Sequence, residues 1–323
     1  MNGPLKLVRE LGLALLLLAL SVAIAGITLA RFAASSARPV APTVTPTPTA
    51  TATPTPTPSP TPAPPAIRAR SVIVLDLTDE RILLERESRT PLPPASTLKL
   101  LTALTVKDIL SSEEIVTIEP EDIVDPAVES SMGLAAGDTI TVHDLLIGLL
   151  LPSGNDAARA LARVAGERLA EPGDRSPQER FLAAMQEKAR ALGLEQTVVR
   201  TPDGDDAPGQ TTSAADLARL ARAVLADPEL SAIVALRQAT VRIGGPNARV
   251  LELENTNELL GELGVVGIKT GTTPEAGQCL VAAWRTVDEH LFVAVLLGSD
   301  DRYGDLRALI QWVAQTTGRA QVP

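Results

Sequence analysis

Ser96 and Lys99 are the two side chains whose types and spacing best suit covalent chemistry in this sequence. Residues three apart share one face of a helix, so the lysine amine would lie within hydrogen-bond reach of the serine hydroxyl. A lysine that has lost its proton can accept the hydroxyl proton and make the serine a nucleophile. Backbone N–H groups at the start of such a helix would also help an oxyanion to form. The pair therefore predicts an activated serine.

Lysine is scarce in this chain, which makes Lys99 distinctive. Only five of the 29 basic residues are lysines, at positions 6, 99, 107, 188 and 269. Arginine keeps its proton at any working pH, whereas a desolvated lysine beside another cation can lose it. Lowering a lysine pKa of about 10.4 by about 3 units costs about 4 kcal/mol. We expect burial and the charge of Lys269 to lower the pKa of Lys99 by this amount. By itself, the pair equally fits Ser96 as a helix N-cap and Lys99 as a solvated helical residue.

Two further motifs, each present once, carry polar groups that could act with this pair. Ser153-Gly154-Asn155 stands between two helical patterns, so we expect a loop or cap that presents a hydroxyl and an amide. Lys269-Thr270-Gly271 stands on a strand, where alternation directs Lys269 and Gly271 to one face and Thr270 to the other. A glycine there lets a substrate backbone approach the strand. The alternatives are simple helix capping for the first motif and a strand end with a turn for the second.

Hydrophobic periodicity predicts the elements that must position these motifs. Residues 71–77 and 81–87 predict a hairpin, and residues 265–271, 278–286 and 290–298 predict three consecutive strands. Apolar residues at helical spacing predict helices, over 96–110, 141–150, 155–168, 177–192, 213–226 and 304–315. This order predicts an α+β fold in which helices flank an antiparallel five-stranded sheet and a subdomain is mostly helical.

The first 66 residues differ in composition from the rest. Residues 1–37 include an uncharged apolar run, 11–30, which as a helix spans roughly 30 Å, the thickness of a bilayer core. Lys6 and Arg9 precede it, which leaves the N-terminus in the cytoplasm and sends the rest across the membrane. We expect a retained anchor, with a cleaved signal peptide as the alternative. Residues 38–66 alternate Pro with Thr, Ala and Ser and predict an extended spacer before the folded domain, 67–323.

The composition also excludes several classes of site. One cysteine and two histidines rule out an internal disulfide and a Cys/His zinc site, and we expect neither a metal nor a cofactor. The net charge is −10 and the aromatic fraction only 2%, which is unsuited to binding nucleic acid. Cys279 lies in an apolar run and is expected to be a small buried hydrophobe.

Taken together and in this order, the three motifs resemble those of the active-site serine enzymes that recognise penicillin. The surrounding segments, PPASTLKLLTAL, LLLPSGNDAARALA and GVVGIKTGTTPEAGQCLVAA, are similar to those of the serine D-alanyl-D-alanine carboxypeptidases, or low-molecular-weight penicillin-binding proteins. The resemblance covers about residues 71–315. It implies a β-lactamase/DD-peptidase-like fold and removal of the terminal D-alanine from peptidoglycan stem peptides through an acyl-enzyme, with β-lactams as covalent inhibitors.

The resemblance also implies a role for each residue of the site. Ser96 would attack the carbonyl between the two D-alanines, Lys99 would take its proton, and Ser153 would relay a proton to the leaving amine. Asn155 would bind the peptide amide, and the backbone N–H groups of Ser96 and Thr272 would form the oxyanion hole. The terminal carboxylate would contact three side chains, Lys269, Thr270 and Arg302. Arg302 could equally be a surface residue of the closing helix.

Some features depart from the family pattern. Residues 201–205 read Thr-Pro-Asp-Gly-Asp where members commonly have Asn-Pro-x-Gly-Leu, which bears on the conformation of that loop and its substrate contacts. Many relatives have a C-terminal amphipathic anchor, whereas here we expect the N-terminal helix to hold the enzyme on the wall side of the membrane. A serine β-lactamase is one alternative, but its Glu-x-x-Leu-Asn stretch is absent between 156 and 200. A catalytically silent wall-binding homologue is the other.

Overall fold

The strands of the protein form where aliphatic and β-branched residues cluster, as their preference for pleated, buried surfaces requires. The computed structural model describes residues 62–169 and 175–322. The strands within these ranges are β1 (Ser71–Asp76), β2 (Arg81–Arg86), β3 (Ile115–Thr117), β4 (Thr139–Thr141), β5 (Gln238–Ile243), β6 (Arg249–Glu254), β7 (Val265–Thr273), β8 (Gly277–Arg285) and β9 (Leu291–Ser299). The α-helices are α1 (Lys99–Ile109), α2 (Val142–Leu150), α3 (Asn155–Arg168), α4 (Pro177–Ala191), α5 (Ala214–Ala226), α6 (Pro228–Val234) and α7 (Arg302–Thr317).

The predicted apolar helix at 11–30 and most of the predicted spacer lie outside the described residues. Among the helices that are described, none has both the length and the apolar character that crossing a membrane requires.

Five strands form one antiparallel sheet in the order β2-β1-β9-β8-β7. The chain therefore contributes its first two described strands and its last three to the same sheet. In sequence, α1 to α6 lie between these two sets of strands, and α7 follows the last strand. The predicted α+β fold with a five-stranded antiparallel sheet is confirmed. In this order β7, which carries the Lys269-Thr270-Gly271 motif, is an edge strand, so alternate backbone groups of β7 point away from the sheet.

The two faces of the sheet bury different sets of residues, as alternation along β8 shows. Cys279, Val281 and Ala283 belong to a core shared with α1 to α5, whereas Leu280 and Trp284 belong to a smaller core under α7. Cys279 is fully buried, as predicted. Lys269 pairs with Val281 and Gly271 with Cys279 across the β7–β8 ladder. The strand register therefore places Lys269 and Gly271 on the helical side, in agreement with the predicted alternation.

Helix α1 lies at the centre of the helical part. Its first eight residues, from Lys99 to Val106, are all buried, because α2, α3, α4 and α5 all pack around it. Because α1 is buried on all of its faces, it has no amphipathic pattern. It is an internal helix and not a surface helix. The Lys99 side chain is therefore carried into a region with little access to water.

Some short elements were not predicted by the sequence. They are α6, the β3–β4 pair of three-residue strands, and the β5–β6 hairpin. The hairpin strands are polar, and most of their residues are exposed or half-buried. The sequences of β5 and β6 therefore resemble those of surface loops. Each strand is held by pairing with the other strand, and neither has the buried apolar face that would produce a recognisable pattern.

Candidate active site

Ser96 lies in a short 3-10 turn, Ala95–Leu98, that leads directly into α1. The alternative interpretation of Ser96, as a helix N-cap, is wrong: the turn begins after Pro94, and no described side chain caps either the turn or α1. The Thr97 hydroxyl instead donates to the Pro94 carbonyl, at 2.6 Å. Because Ser96 does not cap the helix, its hydroxyl is available to other groups.

Two glycines let backbone segments approach this turn closely. A Cβ on Gly271 would lie 2.8 Å from the Ser96 backbone nitrogen and 2.9 Å from the Ala95 Cβ. A Cβ on Gly204, whose φ is +88°, would lie 2.1 Å from the Ala95 carbonyl oxygen. Only glycine fits such contacts. The sequence predicted that Gly271 admits a substrate backbone, whereas the structure shows that it admits the backbone of the serine turn.

Lys99 is fully buried and its amine contacts three oxygen atoms. Nζ lies 2.8 Å from Ser96 Oγ, 2.7 Å from Asn155 Oδ1 and 2.9 Å from the Asp203 carbonyl oxygen. The amide and carbonyl oxygens can only accept hydrogen bonds. When Lys99 is neutral, its two N–H groups can serve these two acceptors, which leaves the nitrogen lone pair directed at the Ser96 hydroxyl. The contacts therefore orient a neutral lysine as a base for Ser96.

Burial lowers the pKa of Lys99 from 10.5 to about 8. The sequence predicted that the charge of Lys269 would contribute to this shift. Nearby carboxylates, of which Asp203 acts most, partly oppose the effect of burial. Burial, the charge of Lys99 and the charge of Arg302 hold the pKa of Lys269 well below its ordinary value, and the repulsion between the two amines acts on both of them.

The Ser153-Gly154-Asn155 motif forms the connection between α2 and α3. Ser153 has a left-handed backbone with φ +67°, and Asn155 is the first residue of α3. Ser153 is 5% exposed, and within the described ranges its Oγ has no hydrogen-bond partner. A buried hydroxyl without a partner loses its hydration without compensation, so this atom is suited to contact a bound molecule.

The Asn155 amide is already fully used within the protein, which the sequence did not predict. Its oxygen accepts from Lys99, and its nitrogen donates to Glu129 Oε2 at 3.0 Å and to Asp205 Oδ2 at 3.1 Å. The two carboxylates fix which end of the amide faces Lys99. A peptide group that binds to the Asn155 nitrogen must therefore displace one of them.

Lys269 contributes a second buried polar atom without a partner. The residue is 1% exposed, and its Nζ accepts or donates no hydrogen bond to any described group. An ammonium in this state has a strong attraction for an anionic oxygen. The Thr270 hydroxyl, in contrast, lies 2.6 Å from the hydroxyl of Thr256.

Arg302 is the first residue of α7 and reaches the end of β7. Its Nη1 donates to the Gly271 carbonyl oxygen and to the Thr272 Oγ1, both at 2.9 Å. Arg302 therefore lies beside the Lys269-Thr270-Gly271 motif, and its contact with a substrate carboxylate stays a prediction. Thr272 itself is exposed at this end of the strand.

The sequence did not identify three acidic residues that lie around Lys99 and Asn155: Glu129, Asp203 and Asp205. Asp203 and Asp205 belong to the 201–205 loop in which the chain departs from the family pattern, and this departure was the one available signal. Glu129 precedes a loop that is pinned to α3, because Asp156 accepts from the backbone N–H groups of Met132, Gly133 and Leu134. No sequence pattern marks Glu129.

The structure therefore joins most of the predicted site residues. Direct contacts connect Ser96, Lys99 and Asn155, and others connect the Ser96 turn, Gly271, Thr272 and Arg302. Lys269 lies close enough to Lys99 and Arg302 for their charges to act on it. Ser153 and Lys269 add two buried polar atoms without partners among the described residues. Such an arrangement can activate a serine and attract an anion beside it.

Two groups of side chains have potential metal-ligating atoms within 4.8 Å of one another, Asp76 with Asp79 and His290, and Glu129 with Asp203 and Asp205. In the first group, Asp79 forms ion pairs with Arg81 and Arg319. In the second, Glu129 accepts from Arg159 at 2.6 Å and lies beside the Lys99 site. In each group, therefore, at least one carboxylate already pairs with a cation of the protein.

Comparisons with known proteins give consistent matches. The family model described as D-alanyl-D-alanine carboxypeptidase, Peptidase S11, matches residues 58–300. The D-alanyl-D-alanine carboxypeptidase DacC of Escherichia coli K12 is 36% identical over 263 residues, covering 77% of this chain and 62% of its own. DacB2 of Mycobacterium tuberculosis H37Rv, also a D-alanyl-D-alanine carboxypeptidase, is 35% identical over 234 residues, covering 71% of this chain and 75% of its own.

A solved structure supports the same relationship. The crystal structure of the Streptomyces K15 DD-transpeptidase superposes with a TM-score of 0.69 at 27% identity, covering 79% of this chain and 98% of that one. The chain spans less than two thirds of the length of DacC.

Proposed function

Since the chain belongs to the D-alanyl-D-alanine carboxypeptidase family, we propose that it is a serine hydrolase that removes the terminal D-alanine from peptidoglycan stem peptides. The observation that carries this proposal is the position of the buried Lys99 amine, 2.8 Å from the Ser96 hydroxyl. The remaining contacts of the amine direct its lone pair at that hydroxyl when the lysine is neutral.

In the proposed acylation step, Lys99 takes the Ser96 proton and Oγ bonds to the carbonyl carbon between the two D-alanines. Two backbone N–H groups, of Ser96 and Thr272, stabilise the oxyanion. The C–N bond then breaks, and the leaving amine takes a proton relayed through Ser153, which frees D-alanine. Water hydrolyses the ester on Ser96 and completes the cycle. The Ser153 hydroxyl is buried and has no hydrogen-bond partner among the described residues, which supports its assignment as the relay.

The substrate carboxylate is proposed to bind at the end of β7. Lys269 has a buried amine without a partner among the described residues, and Arg302 holds a guanidinium beside Thr272. Together they supply the positive charge that a terminal carboxylate requires. Thr270 would contact the same group after its hydroxyl releases that of Thr256. Gly271 acts by bringing this strand against the Ser96 turn.

Asn155 is proposed to bind the peptide amide, as in the family. Because Glu129 and Asp205 both accept from its nitrogen, a substrate carbonyl must replace one of these carboxylates. Glu129 also pairs with Arg159, so Asp205 is the more easily displaced.

β-Lactams are proposed as covalent inhibitors, because they present a strained amide to the same serine. The test is attachment of a fluorescent penicillin to the full chain, followed by mass spectrometry to locate the adduct. Ser96→Ala should abolish labelling, and incubation of the wild type with a peptide ending in D-Ala-D-Ala should release D-alanine. Labelling that persists in Ser96→Ala would identify a different nucleophile. The absence of both labelling and D-alanine release would support a catalytically silent wall-binding protein, and rapid penicillin turnover would support a β-lactamase.

Transpeptidation is a second candidate, because the matched Streptomyces K15 enzyme is a DD-transpeptidase. The two reactions share the acyl-enzyme and differ in whether water or an amine accepts the acyl group. Adding an amine acceptor such as glycylglycine and measuring the transferred product against the hydrolysed one separates them. A carboxypeptidase should release mainly the hydrolysed peptide.

We also propose that the enzyme acts on the wall side of the cell membrane, anchored by residues 11–30. The support is the sequence alone, an uncharged run of 20 residues preceded by Lys6 and Arg9. Membrane fractionation with and without residues 1–37 would test it. Recovery of the full chain in the soluble fraction, without removal of its N-terminus, would exclude the anchor.

A further inference from the structure

The carboxylate of Asp205 borders the base of the proposed site but forms no ion pair in the described part of the chain. Its side chain accepts one hydrogen bond there, from the Asn155 amide nitrogen at 3.1 Å. The residue is half-buried. Burial and the nearby Asp203 charge raise the pKa of Asp205. A partly desolvated carboxylate without a cation acts strongly on a nearby positive charge, and the charge of Lys99 acts on Asp205 here.

Two of the other acidic groups near Lys99 are neutralised more fully. Asp156 accepts from several backbone N–H groups, and Glu129 pairs with Arg159 at 2.6 Å. Asp203 contacts the amine through its backbone carbonyl oxygen, and its carboxylate accepts from the Asp205 backbone N–H. Asp203 and Asp205 therefore have the fewest neutralising partners among the described residues, and of these two carboxylates Asp205 is the one that accepts from Asn155.

Asn155 connects Asp205 to Lys99. Its amide nitrogen donates to the carboxylate while its oxygen accepts from Nζ at 2.7 Å. A negative charge on the nitrogen side polarises the amide, which makes the oxygen a stronger acceptor for an ammonium. The arrangement therefore favours the protonated form of Lys99, which is the form that cannot accept the Ser96 proton.

We propose that Asp205 is a positioning residue that sets the pH range in which Lys99 can act as the base for Ser96. It does so by direct charge and through the Asn155 amide. The proposal deepens the proposed function and rests on it, since it concerns the activation of the same serine.

The pKa of Lys99 depends on all the charged groups that face it. The acidic groups raise this pKa, and they come from three segments: Glu129 from the loop between β3 and β4, Asp156 from α3, and Asp203 and Asp205 from the 201–205 loop. Lys269 on β7 is the facing cation, whose own pKa the charge of Lys99 lowers. Removing one carboxylate lowers the pKa of Lys99, so the neutral base persists to lower pH.

The test compares Asp205→Asn, Asp205→Leu and a control, Glu113→Gln, in the full chain. Asn keeps a group that can accept from Asn155 but removes the charge, whereas Leu removes both. Glu113 is exposed and makes no side-chain hydrogen bond in the described ranges. The rate of acylation by a fluorescent penicillin is measured from pH 5 to 10. We expect both Asp205 variants to move the acidic limb down by about 0.5–1 pH unit, with the plateau above about pH 9 changed less than about twofold.

At a pH well below the limb, the rate follows the fraction of neutral lysine, so this shift raises acylation about 3–10-fold. Glu113→Gln should leave the limb in place. A variant that loses rate equally at every pH would show that Asp205 acts only on structure, and the proposal would be wrong. It would be equally wrong if the limb moved in Asp205→Leu but stayed fixed in Asp205→Asn, because then the charge would not be responsible.

A second measurement does not depend on turnover. NMR titration of ¹³C-labelled lysine side chains should show the Lys99 midpoint fall in Asp205→Asn, and the small number of lysines makes assignment practicable. This result would stand even if the protein released no D-alanine, so failure of the proposed function is distinguishable from failure of this inference. An unchanged Lys99 midpoint overturns the inference.

Discussion

Gly271→Ala is expected to separate Ser96 from β7, the strand proposed to bind the substrate, without unfolding the protein. The added Cβ would lie 2.8 Å from the Ser96 nitrogen, 2.9 Å from the Ala95 Cβ and 3.1 Å from the Thr97 nitrogen. All three atoms belong to the backbone or to a short side chain, so none can rotate away. The contact can be relieved only by moving the turn or the strand.

The size of this movement follows from ordinary contact distances. Restoring a separation of about 3.4 Å requires a shift of about 0.5 Å between the Ser96 turn and β7. Overpacking of this kind costs about 1–3 kcal/mol. A misplacement of about 1 Å lowers enzymatic rates by about 100-fold, so half that distance should lower the acylation rate by about tenfold.

Gly193→Ala provides a matched control. Gly193 ends α4 with φ +68°, and an added Cβ there would meet nothing within 4 Å. The variant should lose about 1 kcal/mol of stability through backbone strain but acylate at the wild-type rate. It therefore shows what a loss of stability alone does to activity.

The assay is the second-order rate of fluorescent penicillin labelling, with the midpoint of thermal unfolding measured on the same samples. Gly271→Ala should label about tenfold more slowly at a temperature where it remains folded. Wild-type labelling by folded Gly271→Ala would mean that the close contact between the turn and β7 does not position the nucleophile.

Two further predictions concern single charged groups. Lys269→Arg keeps a positive charge but replaces a compact, fully buried amine with a larger planar group. We therefore expect the acylation rate to fall by more than about tenfold while the circular dichroism spectrum stays unchanged. Wild-type kinetics would show that Lys269 is not part of the site. Glu229 contacts Lys107, His143 and Ser112, and these hydrogen bonds hold its pKa at about 2. Because the folded-state pKa is depressed, the stabilisation is present above the ordinary value of 4.5 and disappears as the pH falls towards 2. Glu229→Gln should therefore be less stable than the wild type by about 1–2 kcal/mol at pH 7, allowing for screening by solvent, with the difference vanishing near pH 2 in denaturant titrations. A difference that is constant over this range would show that the charge is not the cause.

The chemistry of the site could be predicted from sequence because it depends on residue types at short spacing. A helical segment brings residues 96 and 99 to one face whatever surrounds it, and the contact of 2.8 Å follows. Strand alternation likewise determined that Lys269 and Gly271 share a face of β7. Long, strongly apolar strands and helices were predicted nearly to their ends, since burial itself imposes their pattern.

The short elements and the acidic groups could not be predicted in this way. The β5–β6 strands pair with each other and bury little, so neither sequence carries a strong pattern. Glu129 and Asp205 are separated from Lys99 by 30 and 106 positions in the chain, and only the packing of their loops against α3 makes them neighbours of the base. No local sequence pattern indicates such a contact.

The sequence by itself determined which groups form the proposed nucleophile and base, because Ser96 and Lys99 are neighbours along one turn of the chain. The tertiary structure alone decided how readily that base gives up its proton. The pKa of Lys99 depends on the removal of water by the surrounding helices and on carboxylates supplied by distant loops. Both effects act through space, and their magnitude is set by distance and burial and not by position in the sequence.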